Sequence, residues 1–241
     1  MTGCIYGVGL GPGDPELVTL KAARVLAEAP IVAWFSKAGA RSHAYGIAEK
    51  LLRPGHLEMP LIYPVTTEYP VDDPRYSEPI ADFYAASSNR IAQHLAEGRD
   101  VAVLCAGDPF FYGSFMHLYH RLVTRFPTRV IPGIPAMAGS WTNAGQPITW
   151  GDDILTVLPG TLPEAELTER LGRTDAAVIM KLGRNLPHVR RALRANGLEQ
   201  RAIYVEYGTM QAEKIIPLAD KPDDKAPYFS LILVPGQGRR L

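Results

Sequence analysis

Two short stretches of the chain place glycines, an acid and a proline directly after an apolar run: "GVGLGPGDP" at residues 7–15 and "AGDPFFYGS" at residues 106–114. Glycine-rich loops that follow a strand and open a helix commonly cradle phosphate. These two do not suit that chemistry. A dinucleotide fingerprint wants glycine at its first, third and sixth positions, and the sixth counted from Gly7 is Pro12. The next strand ends in Phe35, Ser36 and Lys37, with no acid for a pair of ribose hydroxyls. No Gly-Lys-Ser/Thr closes a Walker loop, Pro12 removes a backbone donor, and Asp14 would repel phosphate. What remains is a ligand without phosphate. Glycine admits a ligand close to the backbone, carboxylates and carbonyls suit hydroxyl, amine or sulfonium groups, and Tyr112 offers an aromatic face. Either Gly-Asp-Pro alone is equally a turn with a helix cap. Two of them at two strand ends point to one shared pocket, beyond the carboxyl ends of a sheet.

The elements that must position these loops alternate between β-branched runs and helical patterns, which is the grammar of an α/β fold. "CIYGVG" reads as a strand, followed by a helix from Pro15 to Ala29 that Asp14 caps, with Leu17, Leu20, Ala23 and Ala27 toward the sheet. "PIVAWF" is the next strand, "HAYGIAEKLL" a helix and "HLEMPLIYP" a strand. The segment from Thr66 to Pro79, broken by prolines and carrying Asp72 and Asp73, reads as an exposed loop. A long helix is expected over Ile80–Glu97, closed by Gly98. "DVAVLCAGDP" is a buried strand entering the second glycine loop, with "GSFMHLYHRLVTRF" as the helix behind it. "RVIPGIPAM" then supplies a short strand, a turn and another helix. We expect a boundary near Pro127, dividing an N-terminal α/β domain with a mostly parallel sheet (1–127) from a C-terminal one with a mixed sheet (128–241). Its strands are "DILTVLP", "DAAVIMKLG", "QRAIYVEYG" and "YFSLILVP", with helices at Pro163–Leu171 and Leu186–Ala195.

Composition narrows the class. Lys plus Arg equals Asp plus Glu at 25 each, so no overall positive field recruits nucleic acid, and none is expected as a partner. Apolar runs stop well short of the roughly 20 residues of a membrane-spanning helix. "MTGCIYGVG" lacks the pattern of an export signal, so a cytoplasmic protein is expected. Cys4 and Cys105 lie in apolar, strand-like runs and are expected as buried, reduced thiols. His117 and His120 stand three apart on one helix, but no third ligand accompanies them and no metal is expected.

"GVGLGPGDPELVTLKAARVL", "GDPFFYGS", "VIPGIPAMAGSWTNAGQPI" and "VEYGTMQAEK", in this order over most of the chain, resemble the tetrapyrrole methylase family of S-adenosylmethionine (SAM) dependent methyltransferases. "CAGDPFFYGS" and "PITWGDDILTVLPGTLPEAEL" point within it to the branch acting at carbon 20 of precorrin-2. The resemblance implies two α/β domains with a ligand cleft between them that holds SAM, usually in a homodimer. It implies methylation of precorrin-2 to precorrin-3A in cobalamin biosynthesis. The alternatives are the same methylation of the cobalt-containing tetrapyrrole and a non-catalytic tetrapyrrole-binding protein.

Carried onto the matching motifs, the resemblance implies SAM contacts at Gly107, Asp108, Pro109, Tyr112 and Ser114, at Pro135 and Ala136, at Lys181 and Leu182, and at Gly208, Thr209 and Met210. Pro12, Gly13 and Asp14 would border the tetrapyrrole. Family members often carry Ser or Thr after "PGI" where this chain has Pro135, and Ser140 stands one helical turn later. The substrate's acetate and propionate groups need cations, for which Lys37, Arg41 and Arg184 are the candidates. An electron-rich bridging carbon attacks an already activated methyl, so positioning is the protein's main task and a base is needed only for the proton that leaves. Asp14, Asp108 and Glu206 are the candidate bases, with Tyr207 beside them.

Overall fold

Ile5–Gly9 forms β1, the first strand of a unit in which apolar residues alternate with small ones so that both faces can be covered. In this computed structural model, which describes residues 2–66, 68–69 and 73–238, the chain divides into two compact units, Met1–Pro135 and Ala136–Leu241. The first unit continues with α1 (Leu20–Glu28), β2 (Ile31–Lys37), α2 (His43–Ala48), β3 (Leu57–Tyr63), α3 (Pro74–Ala96), β4 (Val101–Cys105), α4 (Phe115–Leu122) and β5 (Thr128–Ile131). Its sheet has the order β3-β2-β4-β1-β5, and every pairing is parallel. Ile5, Ala33, Val103 and Cys105 face a core with α3 and α4, whereas Val8, Leu10, Trp34 and Leu104 face α1 and α2. Burial pushes the Cys105 thiol up, and both cysteines are free.

Three expectations are corrected here. Asp14 caps only a short 3-10 turn, Pro15–Leu17; the chain is extended at Val18, and Thr19 caps α1 by accepting the Ala22 N–H at 3.1 Å. That break resets the helical phase, so Ala22 and Leu26 are buried while Leu20 is 92% exposed. The long helix starts at Pro74 rather than Ile80, because Asp73 accepts the Arg75 N–H at 2.9 Å and Pro74 fits a first turn, with Pro79 inside the helix. Asp72 lies outside the described residues. Finally, β5 pairs with β1 and so belongs to the first sheet, which moves the division from 127 to Pro135.

The second unit contains α5 (Ala136–Asn143), β6 (Leu155–Pro159), α6 (Glu164–Leu171), β7 (Ala176–Met180), α7 (Leu186–Ala195), β8 (Ile203–Glu206), β9 (Lys214–Pro217) and β10 (Ser230–Val234). The order is β6-β7-β10-β8-β9, with β6 and β7 parallel and the other pairs antiparallel. α6 and α7 cover one face through Leu167, Leu171, Val189 and Leu193, and α5 lies on the other through Met137 and Trp141. The short strand β9 was not anticipated. No helix among the described residues is long and apolar enough to cross a membrane.

Candidate functional site

β1, β4 and β5 are neighbours pointing the same way, so the loops that follow them leave one edge of the first sheet. β1 feeds α1 on one face and β4 feeds α4 on the other, the arrangement that opens a crevice beyond the strand ends. The two glycine loops meet there. Gly107 N–H donates to Gly11 O at 2.7 Å, Gly11 N–H returns to Gly107 O at 3.4 Å, and both glycines have φ near +75° (+74° and +76°).

The third loop, 132–135 after β5, presses on both. A Cβ on Gly133 would lie 2.1 Å from Gly107 O, and one on Gly9 would lie 2.4 Å from Gly133 N. A Cβ on Gly7 would lie 2.4 Å from the ring of Phe115, itself fully buried. Gly7 and Gly9 therefore make room for protein rather than for a ligand, which corrects the reading of the opening motif. Asp108 ties the same loops: one carboxylate oxygen accepts Phe110 N–H at 2.9 Å and the other accepts Gly133 N–H at 3.0 Å. Asp14 accepts Glu16 N–H at 2.9 Å within its own turn.

Of the other expected residues in this unit, Gly107, Pro109 and Pro12 are buried and Gly13 is half-buried. Tyr112 has φ +54°, is 43% exposed and packs against Phe111. The hydroxyl of Ser114 accepts a hydrogen bond from Tyr63, a partner that sequence reasoning did not find because Tyr63 closes a strand half a unit away. Lys37 leaves β2 at the same edge but pairs with Glu68 at 2.9 Å, and this hydrogen bond, followed by Thr66 N–H, brings the Glu68 carboxyl down to about 2. Arg41 pairs with Glu49 at 2.6 Å, and both pairs are exposed. Such solvent-screened pairs contribute little to stability and exchange readily for a better anion.

In the second unit, β7 and β8 each run antiparallel to β10, and β6 runs with β7, so the ends of β6, β7 and β8 share one edge. Lys181, Leu182, Gly208, Thr209 and Met210 all belong to the loops of that edge. Lys181 (φ +58°), Tyr207 (φ +49°) and Thr209 (φ +65°), with Tyr112 in the first unit, are the non-glycine residues of left-handed backbone among those described. Each such position costs ~1–3 kcal/mol and persists where the surroundings impose it, most often at ligand sites. No sequence signal marks them, since glycine is the residue that advertises this conformation.

Leu182 is fully buried in the core beside Leu186 and Val189, so its backbone alone is available to a ligand. Pro135 and Ala136 are half-buried where α5 begins. Ser140 donates to Ala136 O at 2.8 Å and lies under Gly208, whose Cβ would come 2.5 Å from its hydroxyl. Arg184 is exposed on the turn after β7. Glu206 accepts the Tyr204 hydroxyl at 2.7 Å and lies 3.8 Å from Lys221, whose buried ammonium also meets Asp223 at 2.9 Å. Burial, then this bond to Glu206, pushes the Tyr204 hydroxyl up. Among the described residues no group of His, Cys, Asp and Glu is placed to hold a metal ion; His117 stacks on Tyr84 with centroids 4.2 Å apart.

Residues 4–221 match the family of Tetrapyrrole (Corrin/Porphyrin) Methylases. The chain belongs to the tetrapyrrole methylases. It is 58% identical over 234 residues to the precorrin-2 C(20)-methyltransferase of Sinorhizobium sp, covering 97% of this chain and 96% of that one. It is 50% identical to the cobalamin biosynthesis protein CobIJ of Mycobacterium tuberculosis (strain ATCC 25618 / H37Rv), covering 99% of this methylase but only 47% of that longer protein. A solved structure of uroporphyrin-III C-methyl transferase from Thermus thermophilus, complexed with S-adenyl homocysteine, superposes with a TM-score of 0.64. That match covers 97% of this chain and 92% of the other at 22% identity, and it shows that the two share a fold.

Proposed function

We propose that the chain is a SAM-dependent methyltransferase that methylates carbon 20 of precorrin-2 to give precorrin-3A in cobalamin biosynthesis, acting as a cytoplasmic homodimer. The observation that carries this reading is the 58% identity, along nearly the whole of both chains, to the Sinorhizobium protein of that activity. The loops support SAM as the methyl donor. Residues 10–14, 106–114 and 132–135 contain no Lys or Arg and include Pro12, Pro109, Pro132 and Pro135, a donor-poor set that suits a sulfonium bearing amine and hydroxyl groups and does not suit a phosphate.

When bound, SAM supplies a methyl group already activated by the sulfonium. The chain's part is placement. We assign SAM contacts to Gly107, Asp108, Pro109, Tyr112, Ser114, Pro135 and Ala136 in the first loop cluster and its exit. Lys181, the Leu182 backbone, Gly208, Thr209 and Met210 are assigned the same role in the second. Tyr112 has the exposed aromatic face for a cation. Lys37, Arg41 and Arg184 are assigned to the substrate's carboxylates, the first two by exchanging Glu68 and Glu49 for them. Pro12, Gly13 and Asp14 border the tetrapyrrole. Asp14, Asp108 and Glu206 each already accept a hydrogen bond, and we choose Asp14 for the proton displaced from carbon 20 because its loop is the one assigned to the tetrapyrrole.

Incubating the protein with SAM and metal-free precorrin-2, then locating the new methyl by mass and NMR, tests the proposal. A methyl at C20 is expected. A methyl elsewhere, or turnover confined to the cobalt-loaded substrate, overturns the assignment, and pigment binding without transfer makes the protein a carrier.

A further inference from the structure

Thr209 is β-branched and sits at φ +65°, with Tyr207 at φ +49° two residues before it. A threonine left to itself relaxes out of this region, because its Cβ crowds the neighbouring carbonyl. Its N–H, however, donates at 2.6 Å to Oε2 of Glu213, and the Asn143 side chain at the end of α5 donates to the same oxygen at 2.8 Å. The backbone closes around this point: Met210 N–H donates to Tyr207 O at 2.8 Å, and Glu213 N–H donates to Met210 O at 2.9 Å. Below, Gly208 rests on Ser140 of α5 so closely that any side chain there would strike the Ser140 hydroxyl.

We infer that Glu213 is a positioning residue for the cofactor loop: its carboxylate holds Thr209 in the left-handed backbone and fixes residues 207–210 against α5 before SAM arrives. An ionised acceptor on a backbone N–H is among the stronger hydrogen bonds, and here it offsets the backbone strain at Thr209. The carboxylate does not touch the ligand in this account. It acts through Thr209, and it rests on the SAM site proposed above.

Calorimetric titration of the full-length protein with S-adenosylhomocysteine, with steady-state kinetics alongside, tests this. Glu213→Ala is expected to weaken binding about tenfold and to raise KM for SAM with kcat unchanged, as loss of one charge-assisted bond predicts. Glu213→Gln retains an acceptor oxygen for the Thr209 N–H and is expected within about threefold of wild type. If Glu213→Ala fails to fold, Glu213→Gln is titrated against wild type instead, and a loss of about tenfold or more there overturns the inference. Unchanged affinity in Glu213→Ala, or a loss that Glu213→Gln shares in full, overturns the inference. A wild-type protein that does not bind S-adenosylhomocysteine overturns the site reading itself, and is distinguished by that first titration.

Discussion

Asp14, Asp108 and Glu206 carry the same kind of acid in three different surroundings. Asp108 spends both oxygens on backbone N–H groups of two loops, so Asp108→Ala should lower the urea-unfolding free energy by about 1.5–3 kcal/mol and weaken cofactor binding with it. Asp14→Asn keeps an oxygen for the Glu16 N–H and should instead slow methyl transfer by about a hundredfold with S-adenosylhomocysteine affinity intact. Equal losses of stability in both variants would remove Asp14 from the chemistry. A different residue sets a pH dependence. His94 is half-buried with Nδ1 unpartnered, and burial, then Arg99, pushes its imidazole below the usual 6.5. The unfolded chain therefore binds the proton first as pH falls through 6.5, so stability is full above that value and declines below it. Urea midpoints at about pH 7.5 and about pH 5.5 should differ less in His94→Gln than in wild type.

At the scale of elements, the opening motif serves contacts between elements. Gly7 is small because α4 lays Phe115 on β1, and Gly9 is small because the loop after β5 crosses it. Gly7→Ala should cost about 1–3 kcal/mol by overpacking, and a second change, Phe115→Leu, should return part of it. Gly9→Ala faces backbone that cannot retreat and should be the more damaging, read as a lower thermal midpoint or loss of soluble protein. Full additivity of Gly7→Ala and Phe115→Leu would show that the ring is not what Gly7 accommodates. The strands and most helices were legible because their apolar patterns are local. α1 was misphased because two extended residues, Val18 and Thr19, separate the capped turn from the helix, and β9 was missed because it has only two apolar residues, Ile215 and Ile216, between a lysine and a proline.

For the molecule as a whole, equal numbers of acids and bases and an isoelectric point near 7.0 leave no overall positive field, so the carboxylates of the proposed substrate have to be met by local cations. The proposed homodimer should scatter light with twice the 26.4 kDa chain mass, and a mass of one chain at working concentrations would remove the dimer from the proposal. By itself the sequence determined the order and type of most elements, the α/β class, the unsuitability of the glycine loops for phosphate and the family resemblance, because each of these is written in residues near one another. Only the tertiary structure decided that β5 closes the first sheet, that Gly7 and Gly9 yield to Phe115 and Gly133, and that Asp108 and Glu206 are clamps. It also decided that Tyr112, Lys181, Tyr207 and Thr209 take a backbone their residue types disfavour. Those outcomes depend on which atoms stand opposite, often a hundred residues away, and no local pattern encodes an opposing atom.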